Sequence, residues 1–522
     1  MTDIDTREEN DTAQLVDAWL ATYADASADA AWLLCDRHPA ERIAFTFVGP
    51  DLTGTDLTFG ELSERSRRLA SLLRARGVGA GDRVAVLMGK RPGLIVTLLA
   101  LWRLGAVHVP LFTAFAHGAI AVRVEGSGAR LLVTEASQRT KVEGIAGLDV
   151  LEIEGIEASL AGVEPLVDRV AVGGDGQLIE IFTSGTTGNP KGVPVPLRML
   201  AAAESYLRFS LDLRAEDVYW NAADPGWAYG LYYALLGPLA AGRRALLSTA
   251  PFSAAHTLEV MRAFGVTNFA GAPTMYRALR AVGVPGRLRL RRASSAGEPL
   301  DPDLTEFGRE VLGVGIRDHY GQTELGMVLC DHWHPSIARD PVPGSMGRPL
   351  PGFALGIVDG QIAVDTGNSP LAWFSGYVGD PRLSRDRFTP DGRWYLTSDL
   401  GRRDDDGNFF FRSRSDDVIL AAGYRIGPTD VENVLLRHPA VREAAVVGRP
   451  DPDGVRGEQV EAFVVVADGV TADDELADAL ARHVRDTYSK HAYPRRVHFV
   501  GELPKTPSGK LRRYVLRQAS VD

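Results

Sequence analysis

Ten consecutive residues, 183 to 192, combine the side-chain types that bind phosphate: they read Thr-Ser-Gly-Thr-Thr-Gly-Asn-Pro-Lys-Gly. Glycines let the backbone turn its N–H groups toward an anion, while the hydroxyls and Lys191 add further donors and positive charge. The segment lacks the Gly-Lys-Ser/Thr ending of a Walker-type P-loop, so we expect a nucleotide to be held in another way. The predicted phosphate contacts are Thr183, Ser184, Gly185, Thr186, Thr187, Gly188 and Lys191.

Two other polar loops carry groups that could do chemistry. Residues 320–324 read Tyr-Gly-Gln-Thr-Glu and follow a predicted strand at 315–319. Residues 504–510 present Lys510 in a loop with two prolines and a glycine, close to the end of the chain. Ligands in open α/β sheets gather at the carboxyl ends of strands. We therefore expect the loops at 183 and 320 to line one site.

The elements that must position these loops alternate between strand and helix. Thr58 and Glu61 have the spacing of a capping box, and Pro92 suits the first turn of a helix over 92–104. This alternation predicts a largely parallel sheet with helices on both faces, and so an α/β fold. The predicted strands are 84–88, 107–111, 131–134, 178–182, 245–248, 266–270, 288–294 and 315–319.

A charged hexamer at 412–417 precedes a last segment of domain size. Its patterns predict a small α+β unit. The predicted division is a flexible tail over 1–30, an N-terminal domain over 31–415 and a C-terminal domain over 416–522. The predicted elements of the last unit are helices at 429–437 and 472–487 and strands at 442–448, 459–466 and 496–500.

Composition restricts the class of function. The chain has 522 residues with 57 basic and 67 acidic side chains, a net charge of −10, which disfavours nucleic-acid binding and stable attachment to anionic membranes. Two cysteines, Cys35 and Cys330, exclude a disulfide framework and favour a reducing cytoplasm. The apolar run 94–111 contains Arg103 and His108, which favours a buried helix and strand over a membrane span.

The motifs, in their order, resemble those of the adenylate-forming superfamily, which includes acyl-CoA synthetases, firefly luciferases and nonribosomal-peptide adenylation domains. Two segments, 224–227 (Asp-Pro-Gly-Trp) and 344–347 (Gly-Ser-Met-Gly), are most similar to short- and medium-chain acyl-CoA synthetases. The resemblance extends from about residue 30 to 515. Its motifs are 183–192, 297–299 (Gly-Glu-Pro), 320–324, Asp399 within 395–399, 414–417, 423–428 and 504–510.

The resemblance implies a large N-terminal domain of layered α/β sheets and a small mobile C-terminal domain. It also implies a two-step reaction. A carboxylate is a poor acyl donor, and joining it to AMP with release of pyrophosphate supplies a leaving group that the thiol of coenzyme A can displace. Positioning and charge neutralisation carry most of such catalysis. ATP, Mg²⁺ and coenzyme A are the implied cofactors.

Residue roles follow from the same resemblance. Lys510 would bridge the acyl carboxylate and the α-phosphate, Thr323 would contact the α-phosphate, and Glu324 would hold Mg²⁺. Asp399 would bind the ribose hydroxyls, with Arg414 as the nearby cation. The remaining nucleotide-binding residues, near the adenine, would be Gly297, Glu298, Pro299, His319, Tyr320, Gly321 and Gln322.

The C-terminal domain of such enzymes rotates between the half-reactions. Asp416 matches the hinge position, and the rotation would withdraw the Lys510 loop. It would also bring a second loop to the site, where glycine leaves room for the thiol. The residues for the coenzyme A side are Ala422, Gly423, Tyr424 and Arg425.

The acyl pocket is expected at Trp227, Ala228, Tyr229, Ala296 and Gly321. Acetate-restricted members carry tryptophan where this chain has Gly321, so we expect glycine to leave the pocket open. An apolar pocket discriminates by only about 1–3 kcal/mol per methylene, which favours a range of acids from three carbons to medium chain, with aromatic acids also open.

Alternatives remain at this point. They are an aryl-CoA ligase, an adenylating enzyme with an acceptor other than coenzyme A, and a non-catalytic nucleotide-binding homologue. An amino-acid substrate would need a carboxylate near residue 228, where alanine stands. The Lys510 loop also resembles a segment that lysine acetyltransferases recognise, so acetylation there is a regulatory hypothesis. The sequence does not indicate an oligomeric state.

Overall fold

The structure of the protein is a computed structural model. It describes residues 3–183, 190–414, 417–421, 424–450, 458–488, 492–505 and 511–519. The chain divides by its contacts into two units, one of residues 1–355 and 364–395 and one of residues 356–363 and 396–522.

The described strands are, in chain order, β1 (Ile43–Val48), β2 (Gly54–Thr58), β3 (Arg83–Leu87), β4 (Val107–Pro110), β5 (Leu131–Thr134), β6 (Asp149–Glu152), β7 (Gln177–Thr183), β8 (Lys191–Pro196), β9 (Tyr219–Asn221), β10 (Ala245–Ser248), β11 (Asn268–Gly271), β12 (Arg292–Ala296), β13 (Ile316–Gln322), β14 (Gly326–Cys330), β15 (Arg348–Pro349), β16 (Leu355–Val358), β17 (Gln361–Asp365), β18 (Trp394–Arg403), β19 (Phe409–Arg414), β20 (Ile419–Ala421), β21 (Tyr424–Ile426), β22 (Val441–Pro450), β23 (Glu458–Val466) and β24 (Arg496–Phe499).

The described α-helices are α1 (Asp3–Tyr23), α2 (Phe59–Ala75), α3 (Pro92–Arg103), α4 (His117–Ser127), α5 (Ile153–Glu157), α6 (Met199–Ser205), α7 (Ala228–Gly230), α8 (Gly237–Ala241), α9 (Ala254–Ala263), α10 (Pro273–Val282), α11 (Pro302–Phe307), α12 (Pro381–Asp386), α13 (Pro428–Leu435), α14 (Asp474–Thr487) and α15 (Arg513–Gln518). Segments of π-helix occupy Trp32–Asp36, Tyr206–Ser210, Leu231–Leu236 and Gly308–Leu312, and 3₁₀ turns occupy Ala136–Val142, Leu160–Gly162 and Thr366–Asn368.

Two sheets form the frame of the first unit. A nine-stranded sheet has the order β15-β14-β13-β12-β11-β9-β10-β1-β2, and a six-stranded sheet has the order β6-β5-β3-β4-β7-β8. The inner pairs are parallel, and the antiparallel pairs lie toward the ends of each sheet. The predicted α/β architecture with largely parallel sheets is confirmed.

Local sequence signals explain where several elements begin. At the start of α2 both halves of the capping box form, since the Thr58 hydroxyl accepts from the Glu61 N–H and the Glu61 carboxylate accepts from the Thr58 N–H. Helix α3 begins at Pro92 and is buried from Gly93 onward. Two hydrogen bonds of 2.6 and 2.7 Å join Arg103 to Asp36 and neutralise its buried charge.

The predicted interpretation of the run 94–111 is therefore confirmed. It forms the buried helix α3 followed by the buried strand β4. Among the described residues, no helix combines the length and the apolar character needed to cross a bilayer.

The prediction of a flexible tail over residues 1–30 is wrong. Helix α1 occupies Asp3–Tyr23, and its last residue is 1% exposed. The Tyr23 hydroxyl donates to Glu204 at 2.9 Å and receives a hydrogen bond from Arg37 at 2.7 Å. The segment was misread because few of its apolar residues, among them Val16, are buried, so its hydrophobic pattern is weak.

The second unit has a separate core. Residues 356–363 and 396–414 contribute to a four-stranded sheet ordered β16-β17-β18-β19. Strands β22, β23 and β24 form a three-stranded sheet that packs with helices α13 and α14 around Val431, Leu435, Val464 and Leu480. This arrangement is the predicted small α+β unit. The boundary at 415 and 416 stays a prediction.

Tyr23→Ala should lower the free energy of unfolding by about 3–5 kcal/mol, as expected for loss of a buried aromatic side chain. The substitution also removes the donor to the partly buried carboxyl of Glu204. Thermal melting with Asp17→Ala as the control, an exposed position on the same helix, checks it. Equal melting temperatures for the two variants would show that α1 contributes no stability.

Candidate active site

The loops predicted to bind the nucleotide meet at the carboxyl edge of the nine-stranded sheet. Strands β12 and β13 are parallel neighbours, with Ala296 opposite His319. The chain leaves β12 at Gly297, whose φ of 100° lies in the left-handed region that favours glycine. The loops at 297 and 320 therefore lie side by side, because the carboxyl ends of adjacent parallel strands share one edge of the sheet.

Strands β13 and β14 form an antiparallel hairpin, and Glu324 lies in the turn between them with 8% of the residue exposed. The Tyr377 hydroxyl donates to Glu324 Oε1 at 2.7 Å. Lys191 Nζ lies 5.7 Å from the centroid of the Tyr377 ring, and the Val378 N–H donates to the Gly192 carbonyl. The segment at 377–378 therefore links the start of β8 to Glu324, which brings both predicted loops to one place.

The predicted phosphate-binding segment lies between the paired strands β7 and β8. Thr183 at the end of β7 pairs with Lys191 at the start of β8. Ser184, Gly185, Thr186, Thr187 and Gly188 lie outside the described residues, so their predicted phosphate contacts stay predictions.

A hydrogen-bonded network holds Tyr320 in place. Gln322 Nε2 donates to the Tyr320 hydroxyl at 3.3 Å, while Gln322 Oε1 accepts from the Tyr395 hydroxyl at 3.1 Å. Arg387 donates to the Tyr395 hydroxyl at 2.8 Å. Sequence reasoning missed Tyr377, Tyr395 and Arg387 because each lies outside the recognised loops and meets them only through the fold.

One helical segment, residues 228–241, forms the wall beside the hairpin. The Tyr232 hydroxyl donates to the Thr323 carbonyl at 3.1 Å, and the Tyr233 hydroxyl accepts from the Met327 N–H at 2.7 Å. Residues 226–229 are partly exposed, whereas residues 230–240 are all buried. The start of the segment therefore borders accessible space, and its next turn is tied to the hairpin.

Trp227, Ala228 and Tyr229 lie at that accessible start. The Trp227 ring packs 5.4 Å from Phe112 and 5.5 Å from Phe115, measured between ring centroids. Its indole N–H is buried and has no hydrogen-bond partner among the described residues. Together these rings form an aromatic cluster beside the partly exposed residues Ala228 and Tyr229.

The expectation that Gly321 leaves open space is wrong for this backbone. A Cβ built at Gly321 would overlap the Gly326 carbonyl oxygen and lie 2.8 Å from the Met327 Cα. The pairing of β13 with β14 is irregular between Tyr320 and Gly321, and this bulge brings the two strands together. Glycine is therefore required here by a close backbone approach.

His319 was predicted among the nucleotide contacts, and this is also wrong for its side chain. The residue is 1% exposed. Its Nδ1 lies 2.7 Å from the Tyr206 hydroxyl and its Nε2 lies 3.2 Å from the Asp331 carbonyl. Burial lowers the pKa of the imidazole to about 3, so it is neutral with both nitrogens engaged inside the protein.

Asp318 was missed by sequence reasoning, although it directly precedes His319. Burial raises the pKa of this carboxyl well above its usual range, and the charge of Asp331 adds to the effect. The backbone of Leu300, just after the 297–299 loop, partly opposes this rise in the pKa. A buried carboxyl between the two adenine-side loops is a candidate nucleotide contact, and only its position before the Tyr320 motif signalled it.

In the second unit, Asp399 and Arg414 face each other on the antiparallel strands β18 and β19. Arg414 Nη1 donates to Asp399 Oδ1 at 3.1 Å. The Asp399 N–H donates to the Thr397 hydroxyl at 3.1 Å. Ser398 between them has a φ of 61°, a strained conformation of the kind found at functional sites.

The hinge residue, the coenzyme A contacts and the catalytic lysine predicted in the second unit lie outside the described side chains. Strand β21 (Tyr424–Ile426) pairs with β20, which gives the backbone of two of them. The described residues do not include Asp416, Ala422, Gly423 or Lys510, and the side chains of Tyr424 and Arg425 are likewise outside the description.

Known proteins are similar to this chain in sequence and fold. The family described as AMP-binding enzyme matches residues 32–368, and its C-terminal domain matches residues 430–510. The chain belongs to the AMP-binding enzyme family. It is an AMP-forming acid–thiol ligase: it adenylates a carboxylic acid with ATP and transfers the acyl group to coenzyme A. Members of this family use ATP, Mg²⁺ and coenzyme A.

Three relatives illustrate the similarity. An acetyl-coenzyme A synthetase of Bacillus subtilis is 34% identical over 495 residues, which are 88% of this chain and 84% of the relative. The crystal structure of a Brucella canis acyl-CoA synthetase is 42% identical with a TM-score of 0.75, and 98% of each chain is covered. A benzoate CoA ligase from Burkholderia xenovorans is 30% identical with a TM-score of 0.83, covering 94% of this chain and 99% of that one.

The donor set fits a Mg²⁺–nucleotide complex. In the described part of the chain, the second oxygen of Glu324 has no hydrogen-bond partner, and no cluster of three His, Cys, Asp or Glu side chains could hold a metal alone. Mg²⁺ is commonly bound by one or two carboxylates together with substrate phosphates. Glu324 is therefore the residue in this AMP-binding enzyme that fits a Mg²⁺ ligand.

Tyr377→Phe should reduce ATP–pyrophosphate exchange about tenfold or more, because a hydrogen bond to a charged group contributes about 1.5–3 kcal/mol. The loss of orientation at Glu324 should appear as a raised KM for Mg-ATP with an unchanged KM for coenzyme A. Steady-state kinetics in both substrates checks this. An unaltered exchange rate would show that Tyr377 does not position the carboxylate.

Proposed function

We propose that the acid activated by this ligase has an apolar tail of three or more carbons, in the short- to medium-chain range. The supporting observation is the wall at residues 227–229, where small and aromatic side chains border accessible space next to the Thr323–Glu324 hairpin. No charged side chain is contributed at these three positions, so an apolar tail suits them.

Ala296 supports the same interpretation. It ends β12, directly before the Gly297 turn, and its side chain is small and buried. The size limit of this pocket therefore comes from Trp227, Tyr229 and the bulged hairpin.

Aromatic acids are the second candidate. The rings of Trp227, Phe112 and Phe115 lie at 5.4–5.8 Å from one another, an arrangement that can pack against a flat ring. The benzoate CoA ligase with a TM-score of 0.83 shows that a related fold accepts such an acid.

The roles of the site residues are part of this proposal. Glu324 holds Mg²⁺, which neutralises phosphate charge when bound, and Thr323 and Lys191 contact phosphate oxygens. Asp399 holds the ribose hydroxyls. Lys510 bridges the acyl carboxylate and the α-phosphate, and the coenzyme A thiol enters past Gly423 after rotation about Asp416. The Gly297–Glu298–Pro299 loop and Tyr320 enclose the adenine.

Two further expectations keep the same status. The cytoplasmic location and the acetylation of Lys510 by a lysine acetyltransferase stay predictions. Removing the charge of Lys510 would stop adenylation if its role is as proposed.

The acid is tested by a panel of straight-chain acids from two to twelve carbons together with benzoate. The measurement is coenzyme A-dependent release of AMP for each acid. We expect the highest kcat/KM among the acids of three carbons and longer. Strict preference for acetate would overturn the proposed range, and preference for benzoate would establish the aromatic alternative.

Ala228→Phe should shift the preference toward shorter acids, because the larger ring would occupy the accessible space at the pocket wall. We expect kcat/KM for hexanoate to fall about tenfold or more while that for propionate changes little, since each excluded methylene is worth about 1–3 kcal/mol. Parallel loss for both acids would place Ala228 outside the chain-length pocket.

Lys510→Ala should abolish formation of the acyl-adenylate yet leave conversion of supplied acyl-AMP to the thioester. ATP–pyrophosphate exchange measures the first step, and thioester formation from synthetic acyl-AMP measures the second. Lys505→Ala is the matched control, because this lysine pairs with Glu443 near the same loop. Equal loss of both steps in Lys510→Ala would refute the proposed division of labour.

A further inference from the structure

A chain of three polar side chains runs from the pocket wall into the protein. The Tyr229 hydroxyl lies 2.9 Å from the Tyr206 hydroxyl, which lies 2.7 Å from His319 Nδ1. His319 Nε2 lies 3.2 Å from the Asp331 carbonyl oxygen. Tyr206 is fully buried, so this chain of hydrogen bonds is shielded from bulk water.

The Asp331 carbonyl oxygen, at the buried end of the series, determines which group donates in each of these hydrogen bonds. A carbonyl oxygen only accepts, so His319 Nε2 must carry the proton and donate to Asp331. The imidazole is neutral, so Nδ1 has no proton and can only accept. Tyr206 therefore donates its hydroxyl proton to His319. Since that proton is used, the Tyr206 oxygen must accept the proton of Tyr229.

This order of donors and acceptors determines what the Tyr229 hydroxyl can bind. The Tyr229 hydroxyl donates its single proton to Tyr206, so its oxygen keeps lone pairs that can accept a hydrogen bond and has no proton left to donate. Tyr229 is partly exposed, in contrast to the buried residues that follow it. A carbonyl or carboxylate oxygen placed against it would meet another acceptor, whereas a hydroxyl or amino group would find a partner.

The backbone next to these hydrogen-bonded side chains is also unusual. Tyr206 begins the π-helical segment Tyr206–Ser210, and a second π-helical segment, Leu231–Leu236, follows Tyr229 by two residues. Such wide turns are rare and frequently lie at functional sites. The ring centroids of Tyr206 and Tyr233 lie 4.3 Å apart, so this ring contact joins the two π-helical segments.

We infer that the acyl pocket prefers acids whose tail carries a hydrogen-bond donor, a hydroxyl or an amino group, which Tyr229 accepts. Tyr206 is the positioning residue, because it takes the Tyr229 proton and keeps the Tyr229 oxygen an acceptor. This inference rests on the proposed function and narrows its substrate class.

The test compares matched acids that differ in hydrogen-bond direction. The pairs are 4-hydroxypentanoate with 4-oxopentanoate, and each hydroxybenzoate isomer with the corresponding fluorobenzoate. In the native enzyme we expect the donor member of at least one pair to have a kcat/KM about two- to tenfold higher, the size of one hydrogen bond. Coenzyme A-dependent AMP release gives the ratio for each pair.

Two variants separate positioning from packing. Tyr206→Phe leaves the Tyr229 proton without its acceptor and free to point into the pocket, so the ratio should fall to one or invert. Tyr229→Phe removes both functions, so the ratio should fall to about one. Tyr276→Phe is the control, because it removes a buried hydroxyl that donates to the Ser294 carbonyl in a different core cluster.

The outcomes are distinguishable. The inference is overturned if the native enzyme favours the acceptor member of every pair, shows no preference in any, or keeps its preference in Tyr206→Phe. Those results leave the proposed function intact as long as unsubstituted acids of three or more carbons are activated. An enzyme that activates none of these acids would refute the proposed function and the inference with it.

Discussion

Tyrosine hydroxyls from other parts of the first unit bond the end of the β13–β14 hairpin, in addition to the strand pairing on both of its sides. Tyr232 and Tyr233 bond its backbone at Thr323 and Met327, and Tyr377 bonds the carboxylate of Glu324. The bulge beside Gly321 interrupts the regular ladder next to Thr323 and Glu324, where we propose that the chemistry takes place. External hydroxyls fix the geometry there, at the cost of burying tyrosines whose oxygens must find partners.

Local signals predicted much of the fold. Strands 131–134 and 245–248 have the predicted bounds, and the Thr58–Glu61 box forms as expected, because each depends on neighbouring residues alone. The strand-end argument was applied to the loops at 183 and 320, whereas the structure places the 297 loop beside the 320 loop, because β12 and β13 are parallel neighbours. Helix α1 was missed because its stability comes from tertiary contacts such as Tyr23 with Glu204.

The site was predicted less completely, and the errors have a common cause. Gly321 was expected to leave open space in the pocket. In the structure the backbone of Gly326 and Met327, on the paired strand β14, lies where a side chain at position 321 would begin, because the register of the two strands is irregular there. His319 was interpreted as a ligand contact because it adjoins a motif, yet its ring points into the core. The direction of a side chain in a bulged strand depends on the partner strand, which a single sequence does not specify.

The helical segment 228–241 joins the proposed wall of the acyl pocket to the hairpin of β13 and β14. Ala228 and Tyr229 border the proposed pocket, and Tyr232 and Tyr233, four residues later, form hydrogen bonds with the β13–β14 hairpin. In an α-helix residues four apart lie on one face, and the π-helical turn between them changes that relation slightly. An acid that presses on Tyr229 therefore acts on the same rigid turn that positions Thr323. Because protein interiors are close-packed, such a displacement is transmitted and not absorbed, so the fit of the acyl tail and the alignment of the phosphate contacts are set together.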